Sequence, residues 1–337
     1  MKYVPVLRYR QEERKSLRSV SLTSKTVPLI EIVTQTVKGK TVFQQFHEDF
    51  PFIAPTVFVD FPTYIPMKNG TKQEVATFLR PLVSNHLLRV PHFMSLKGLN
   101  IIPVVTYNPQ LSSYVKTIVN EASQLRPVFS KLAFRIFINH ATYALAEIQT
   151  IIKQGDVIIL DIGETPHTSP ALQKLYNDIN ALKDRGVETV LIRSAILVSV
   201  TNTSLISGQI IAVADNSLLT SYSSYGFNAF GDYAGLKRDD LTKGGKISPG
   251  FIYYSWHSNC YYGFNSPIKS LIEFENTITP SVLNSIPWGL YSNQHHTNCT
   301  GCKEIIDIKN KISSGKSQGK WKGMACSHYL STMEEFL

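Results

Sequence analysis

Cysteine is scarce in this chain, four residues in 337, and three of the four stand at or beyond Cys299. So few and so lopsided a set excludes the disulfide framework of a small secreted domain, and a reducing, cytoplasmic setting is expected. Long apolar runs are also missing: none approaches the roughly 18 to 20 residues that a helix needs to cross a bilayer. The opening Met1-Lys2-Tyr3-Val4-Pro5-Val6-Leu7-Arg8 is too short an apolar stretch for a signal peptide, so no membrane partner is expected. Several catalytic signatures are absent too, among them a Walker-type phosphate loop, a Gly-x-Ser-x-Gly elbow and a His-Glu-x-x-His helix. The glycine-punctuated segment from Gly226 to Gly235 places its first two glycines five residues apart, which does not fit a dinucleotide fingerprint.

What is present is a composition of 43% hydrophobic and 18% charged residues, enough to bury a substantial core. Short β-branched runs recur at 3–9, 27–33, 55–61, 100–107, 131–139, 157–162, 188–195 and, more weakly, 227–234. Helical patterns fill most gaps between them, at 11–20, 72–87, 111–124, 142–153, 171–185 and 217–225. Helix stop signals fall where the alternation requires them: Gln154-Gly155-Asp156 precedes the sixth run and Asp184-Arg185-Gly186 the seventh. Eight strands with helical crossovers predict an α/β chain folded as a (β/α)8, TIM-barrel-like domain over residues 1–235. The alternative is an open doubly wound sheet, which is harder to fill with eight consecutive units. From 236 to 337 the texture changes to an appended Cys/His-containing region, with a loop at 236–250 and one more strand at 251–256.

Charged residues interrupt the apolar runs near their C-terminal ends, where the strands of a (β/α)8 barrel assemble its active site. Side chains two apart share a strand face, and this places Arg8, Glu31, Asp60, Tyr107, Asn139, Asp161, Arg193 and Asp232 in a candidate ring, with Arg135 deeper in its strand. Glu31, Asp60, Asp161 and Asp232 could ligate a divalent metal or exchange protons, while Arg8 and Arg193, helped by Tyr107 and Asn139, could hold a small anionic substrate. The same residues could equally form a self-neutralised ion-pair network. A metal-assisted hydrolase of a phosphorylated or nucleotide-like substrate therefore stands beside a non-catalytic barrel that binds a ligand, a nucleic acid or a partner protein. The glycerophosphodiester-type barrel pattern of His-Arg and Glu-x-Asp is not met by Arg8-Tyr9-Arg10 and Glu31-Ile32-Val33.

The net charge of +9 favours anionic partners, but Lys309, Lys311, Lys316, Lys320 and Lys322 concentrate in a polar stretch that can simply be solvated, so any nucleic-acid binding is expected to be weak. In the same region Cys299-Thr300-Gly301-Cys302 has zinc-knuckle spacing, and Cys326-Ser327-His328 follows. On an extended strand Cys326 and His328 would point the same way and complete a structural zinc site, with His295 and His296 as nearby alternates. Free thiols or a redox pair would use the same spacing. Cys260 and His257 read as core residues.

The opening Tyr3-Val4-Pro5-Val6-Leu7-Arg8-Tyr9-Arg10, the Val27-Pro28-Leu29-Ile30-Glu31-Ile32 run, Phe230-Gly231-Asp232-Tyr233-Ala234, Cys299-Thr300-Gly301-Cys302, Lys320-Trp321-Lys322 and Ser327-His328-Tyr329-Leu330 together resemble the beta protein family of bacteria and their phages. The resemblance spans essentially the full chain. It implies a barrel-like protein of mobile elements linked to phage conflict, and it supplies no reaction and no catalytic residue.

Overall fold

The computed structural model describes residues 1–37, 39–111, 115–238, 241 and 245–337. Residues 112–114 of the expected helix at 111–124 lie outside these, as do Asp239, Asp240, Lys243 and Gly244 of the expected loop. The eight expected runs each contain one strand: β1 (Tyr3–Arg8), β2 (Leu29–Glu31), β3 (Val57–Asp60), β4 (Ile101–Thr106), β5 (Ala133–Phe137), β6 (Val157–Asp161), β7 (Glu188–Ile192) and β8 (Ala229–Asp232). They close in sequence order into one parallel barrel, β1 pairing with both β2 and β8. The fold is a TIM-barrel-like α/β fold, and the open sheet is excluded by that closure.

The strands read as nearly continuous apolar runs because both faces are covered. One face fills the barrel interior, with Val4, Leu29, Phe58, Val104, Ile159 and Ile192 among its residues. The other, including Leu7, Ile30, Val59, Val105, Phe134 and Leu191, packs under the helices. Gly231 sits where a side chain would meet the Val4 carbonyl at 2.4 Å, so a bare backbone is what lets β8 close against β1.

The helical layer comprises α1 (Gln11–Ser19), α2 (Val42–Asp49), α3 (Gln73–Ser84), α4 (Arg89–Met94), α5 (Thr117–Leu125), α6 (Ala141–Ile151), α7 (Gln173–Asn180) and the single turn α8 (Leu218–Ser221). The capping box of Thr41 and Gln44 starts α2, a helix not expected from the hydrophobic pattern.

Residues beyond 236 pack on this barrel. An antiparallel hairpin, β9 (Gly250–Ser255) and β10 (Cys260–Asn265), is joined by the two-residue strand Gln209–Ile210. Over it lie α9 (Thr279–Leu283), α10 (Ile286–Gly289), α11 (Asn293–Asn298) and α12 (Thr300–Lys309), sharing a second core of Phe251, Tyr253, Phe264, Phe274, Trp288 and Trp321. The last helix, α13 (Gln318–Phe336), is buried on two sides. Its Trp321, Met324 and Ala325 belong to the second core, whereas Cys326, Tyr329, Leu330 and Met333 belong to the barrel's core. Ser16 Oγ of α1 donates to the Gly323 carbonyl at 2.9 Å, so α13 lies beside α1 where a barrel's eighth helix belongs.

Candidate functional site

Strand register assembles the barrel mouth. Arg8 aligns with Glu31 and Glu31 with Asp60, all pointing inward at one level. Arg135 rises between them as a hub: Nη1 donates to Glu31 Oε1 at 2.7 Å and Asp60 Oδ2 at 3.2 Å, and Nη2 to Asp161 Oδ2 at 2.6 Å. Arg8 Nε reaches Glu31 Oε2 at 3.3 Å, the Tyr64 hydroxyl donates to Glu31 Oε1, and the Tyr233 hydroxyl donates to Asp161 Oδ2 at 3.0 Å. From α4, Arg89 Nη2 donates to Asp60 Oδ1 at 2.8 Å while its Nη1 reaches Glu121 Oε2 at 3.1 Å.

These groups are essentially inaccessible to water, so their charges must be matched. Burial works to raise Glu31, but Arg135 and Arg8 outweigh it and hold the carboxyl below its ordinary value. Asp161 is lowered in the same way, burial being outweighed by Arg135 and Arg238. At Asp60 burial wins over Arg89 and Arg135 and the carboxyl is raised. Burial pushes Glu121 up to about 8 against the pull of Arg89, which leaves it protonated at neutral pH.

The expected ring is therefore split. Val104 and Thr106, Val190 and Ile192, and Ala229 and Tyr233 define the inward parity of β4, β7 and β8, so Tyr107, Arg193 and Asp232 have the outward one. Asp232 lies under the helices, receiving hydrogen bonds from Tyr3 OH at 2.6 Å and from Tyr329 OH of α13. Arg193 ties two loops together through Asp215 Oδ2 at 2.7 Å and the Thr165 carbonyl at 3.1 Å. The divalent cation expected among Glu31, Asp60, Asp161 and Asp232 is corrected by this geometry: the Arg135 guanidinium fills the space between the first three, and Asp232 faces away.

Above the network opens a pocket of about 270 Å³. Tyr107 and Asn139, both beyond their strand ends, line it with Asp161. Its other lining residues include Tyr64, Phe137, His140 and Arg238. Arg238 sets its guanidinium carbon over the rings of Tyr64 at 4.8 Å and Phe137 at 5.6 Å, and among the described residues no carboxylate oxygen comes within ion-pair distance of it. Tyr64, Arg89 and Arg238 come from loops and helices whose approach to the mouth has no local sequence signal. Tyr233 was legible in principle, since it stands two residues after the small inward Gly231.

A second cluster lies in the C-terminal layer. The ligand atoms of His295, Cys299, Cys302 and His328 are all buried and all within 4.8 Å of one another, and among the described residues no other His, Cys, Asp or Glu group of three or more is so disposed. Cys326 is corrected out of the set and His295 takes its place. The cause is secondary structure: residues 326 and 328 lie on α13 and not on a strand, so two positions turn the side chain by about 200°. Cys326 faces the barrel core, while His328 sets Nδ1 at 3.5 Å from Cys299 Sγ and 3.3 Å from Cys302 Sγ. A tetrahedral ion with its usual bond lengths separates sulfur and nitrogen ligands by about 3.5 Å. The far nitrogen of each histidine is fixed by an acceptor: His328 Nε2 meets the Tyr254 carbonyl at 2.8 Å, and His295 Nδ1 meets Glu335 Oε2 at 2.6 Å. His295 Nε2 is buried with no partner. Burial raises the Cys299 thiol, but the neighbouring Cys302, His295 and His328 prevail and hold it well below its ordinary value. The backbone N–H of Cys302 also points at Cys299 Sγ, at 3.4 Å. This donor set can hold a metal ion.

Among the described residues no helix is long and apolar enough to cross a membrane. No curated protein matches this chain. The barrel-wide alignment of motifs does have a counterpart at the family level: the family model described as Beta protein matches residues 3–334, nearly the whole chain, and the protein belongs to that family.

Proposed function

We propose that this barrel binds a small phosphorylated or nucleotide-like anion at its mouth without turning it over, and that its C-terminal layer is folded around one structural zinc. The observation that carries the first part is a charge count. Among the described residues Glu31, Asp60 and Asp161 pair with Arg8, Arg89 and Arg135, while the Arg238 guanidinium at the pocket has no carboxylate oxygen within ion-pair distance. A guanidinium held over aromatic rings at the edge of a pocket suits a phosphate or carboxylate. The saturated carboxylates beneath it support binding over metal-assisted hydrolysis, because each is already hydrogen-bonded to arginine and none faces a cation site.

For the second part, four protein ligands leave no position for water, so the metal's role is folding. Four free thiols fit a reducing, cytoplasmic compartment. The phage-conflict setting implied by the family resemblance would make the mouth a sensor or a sink for such an anion. Calorimetric titration with ribose 5-phosphate tests the mouth. Binding that weakens about tenfold in Arg238→Ala, the loss of one charge-assisted contact, is the expected result. No binding, or binding indifferent to Arg238, would sink the proposal.

A further inference from the structure

The anion site has a second half. Tyr107 and His140 line the same pocket as Arg238, with ring centroids 5.9 Å apart. Tyr143, exposed on α6, lies nearly parallel to Tyr107 at 6.0 Å and 13° and extends the aromatic surface outward. Asn139, also in the pocket and exposed, makes no side-chain hydrogen bond to any described residue. The contrast with the floor decides the reading: the inward Glu31, Asp60 and Asp161 below are each hydrogen-bonded to arginine, whereas Arg238, Asn139 and His140 at the rim make no side-chain hydrogen bond or ion pair to another described residue. Unpaired polar groups that converge on one concave surface beside aromatic faces are what a small polar, planar ligand requires.

Resting on the mouth being an anion site, we infer that its ligand is a nucleoside monophosphate, with the phosphate on Arg238, the base against Tyr107 and His140, and Asn139 hydrogen-bonding the base edge. Rings of the tyrosine and histidine type stack on any base, because every base presents a π-face. The Asn139 amide carries both a donor and an acceptor, matching the mixed donor and acceptor edges of nucleobases. The pocket volume, about 270 Å³, is at the small end of ligand sites and suits a mononucleotide better than a dinucleotide.

The test is calorimetric titration of the full chain with AMP, GMP, CMP, UMP and ribose 5-phosphate. At least one nucleotide should bind about tenfold or more tightly than ribose 5-phosphate, the gain expected from one stacked base. Tyr107→Ala should bring that nucleotide down to the sugar phosphate's affinity while leaving ribose 5-phosphate itself unchanged, which also shows that the variant is folded. Tyr107→Phe should retain the preference. If ribose 5-phosphate binds and no nucleotide binds better, the base subsite is wrong and the anion site stands. A loss in Tyr107→Ala that is equal for both ligand types overturns the base subsite in the same way. If none of the five binds, both the inference and the reading beneath it fall.

Discussion

Arg135 stands at 0% exposure with three carboxylates on its two terminal nitrogens, and its Nε is buried without a partner. Such a group is held only by its neighbours, and each of them depends on it in turn. Arg135→Met should therefore destabilise the chain by about 3–5 kcal/mol, the cost of leaving buried charge uncompensated. The denaturant midpoint should fall at unchanged slope in equilibrium unfolding. Glu121 makes a pH prediction whose sign can be worked out. Its folded value, about 8, lies above the usual glutamate range, so between roughly pH 4.5 and 8 the folded state holds a proton that the unfolded state has lost. Stability from this group is complete at low pH and declines as pH rises through that window. Glu121→Gln keeps an acceptor for Arg89 and removes the ionisation, so its stability relative to the parent chain should improve steadily from pH 5 to 8. An unchanged difference across that range in parallel melts would show that Glu121 does not titrate this way.

At the scale of elements, α13 joins the two cores. One side presents His328 to the thiols of the layer, and the other presents Tyr329 to Asp232 of β8. The helix is seated against α12 so closely that a side chain at Gly301 would meet the Met324 carbonyl at 2.4 Å. A metal at the cluster would thus hold α11, α12 and α13 together through His295, the Cys299–Cys302 pair and His328. Protein purified without chelator should contain about one zinc per chain by elemental analysis. Cys302→Ser and His295→Ala should lose it and melt lower, whereas Cys326→Ser, which alters a residue on the barrel side of the helix, should retain it. Metal content that falls with Cys326 and survives the loss of His295 would reverse this assignment.

For the molecule as a whole, a charge of +9 does not add up to a nucleic-acid face. The lysines of the tail are distributed on the surface and several are locally paired, Lys320 with Glu304 at 2.5 Å and Lys316 with Glu275 at 3.9 Å. Filter binding with duplex DNA should accordingly show weak association that disappears steeply with added salt, and tight salt-insensitive binding would contradict this. The number of strands, their order and the identity of Glu31, Asp60 and Asp161 as inward charges were legible in the chain, because a strand buried on both faces must be a short apolar run and a charge within it must end near the mouth. The outward turn of Asp232 and Arg193 was not, since one residue of register reverses a side chain and no local pattern marks that register. The same holds for Cys326 and His328, whose directions depend on whether their backbone is helical or extended. Local apolar periodicity by itself determined the barrel. Which charges meet, which thiols share a metal and which helix fills the eighth position were decided only by the tertiary structure, because these pairings join residues far apart in the chain whose partners exist only once the barrel has closed.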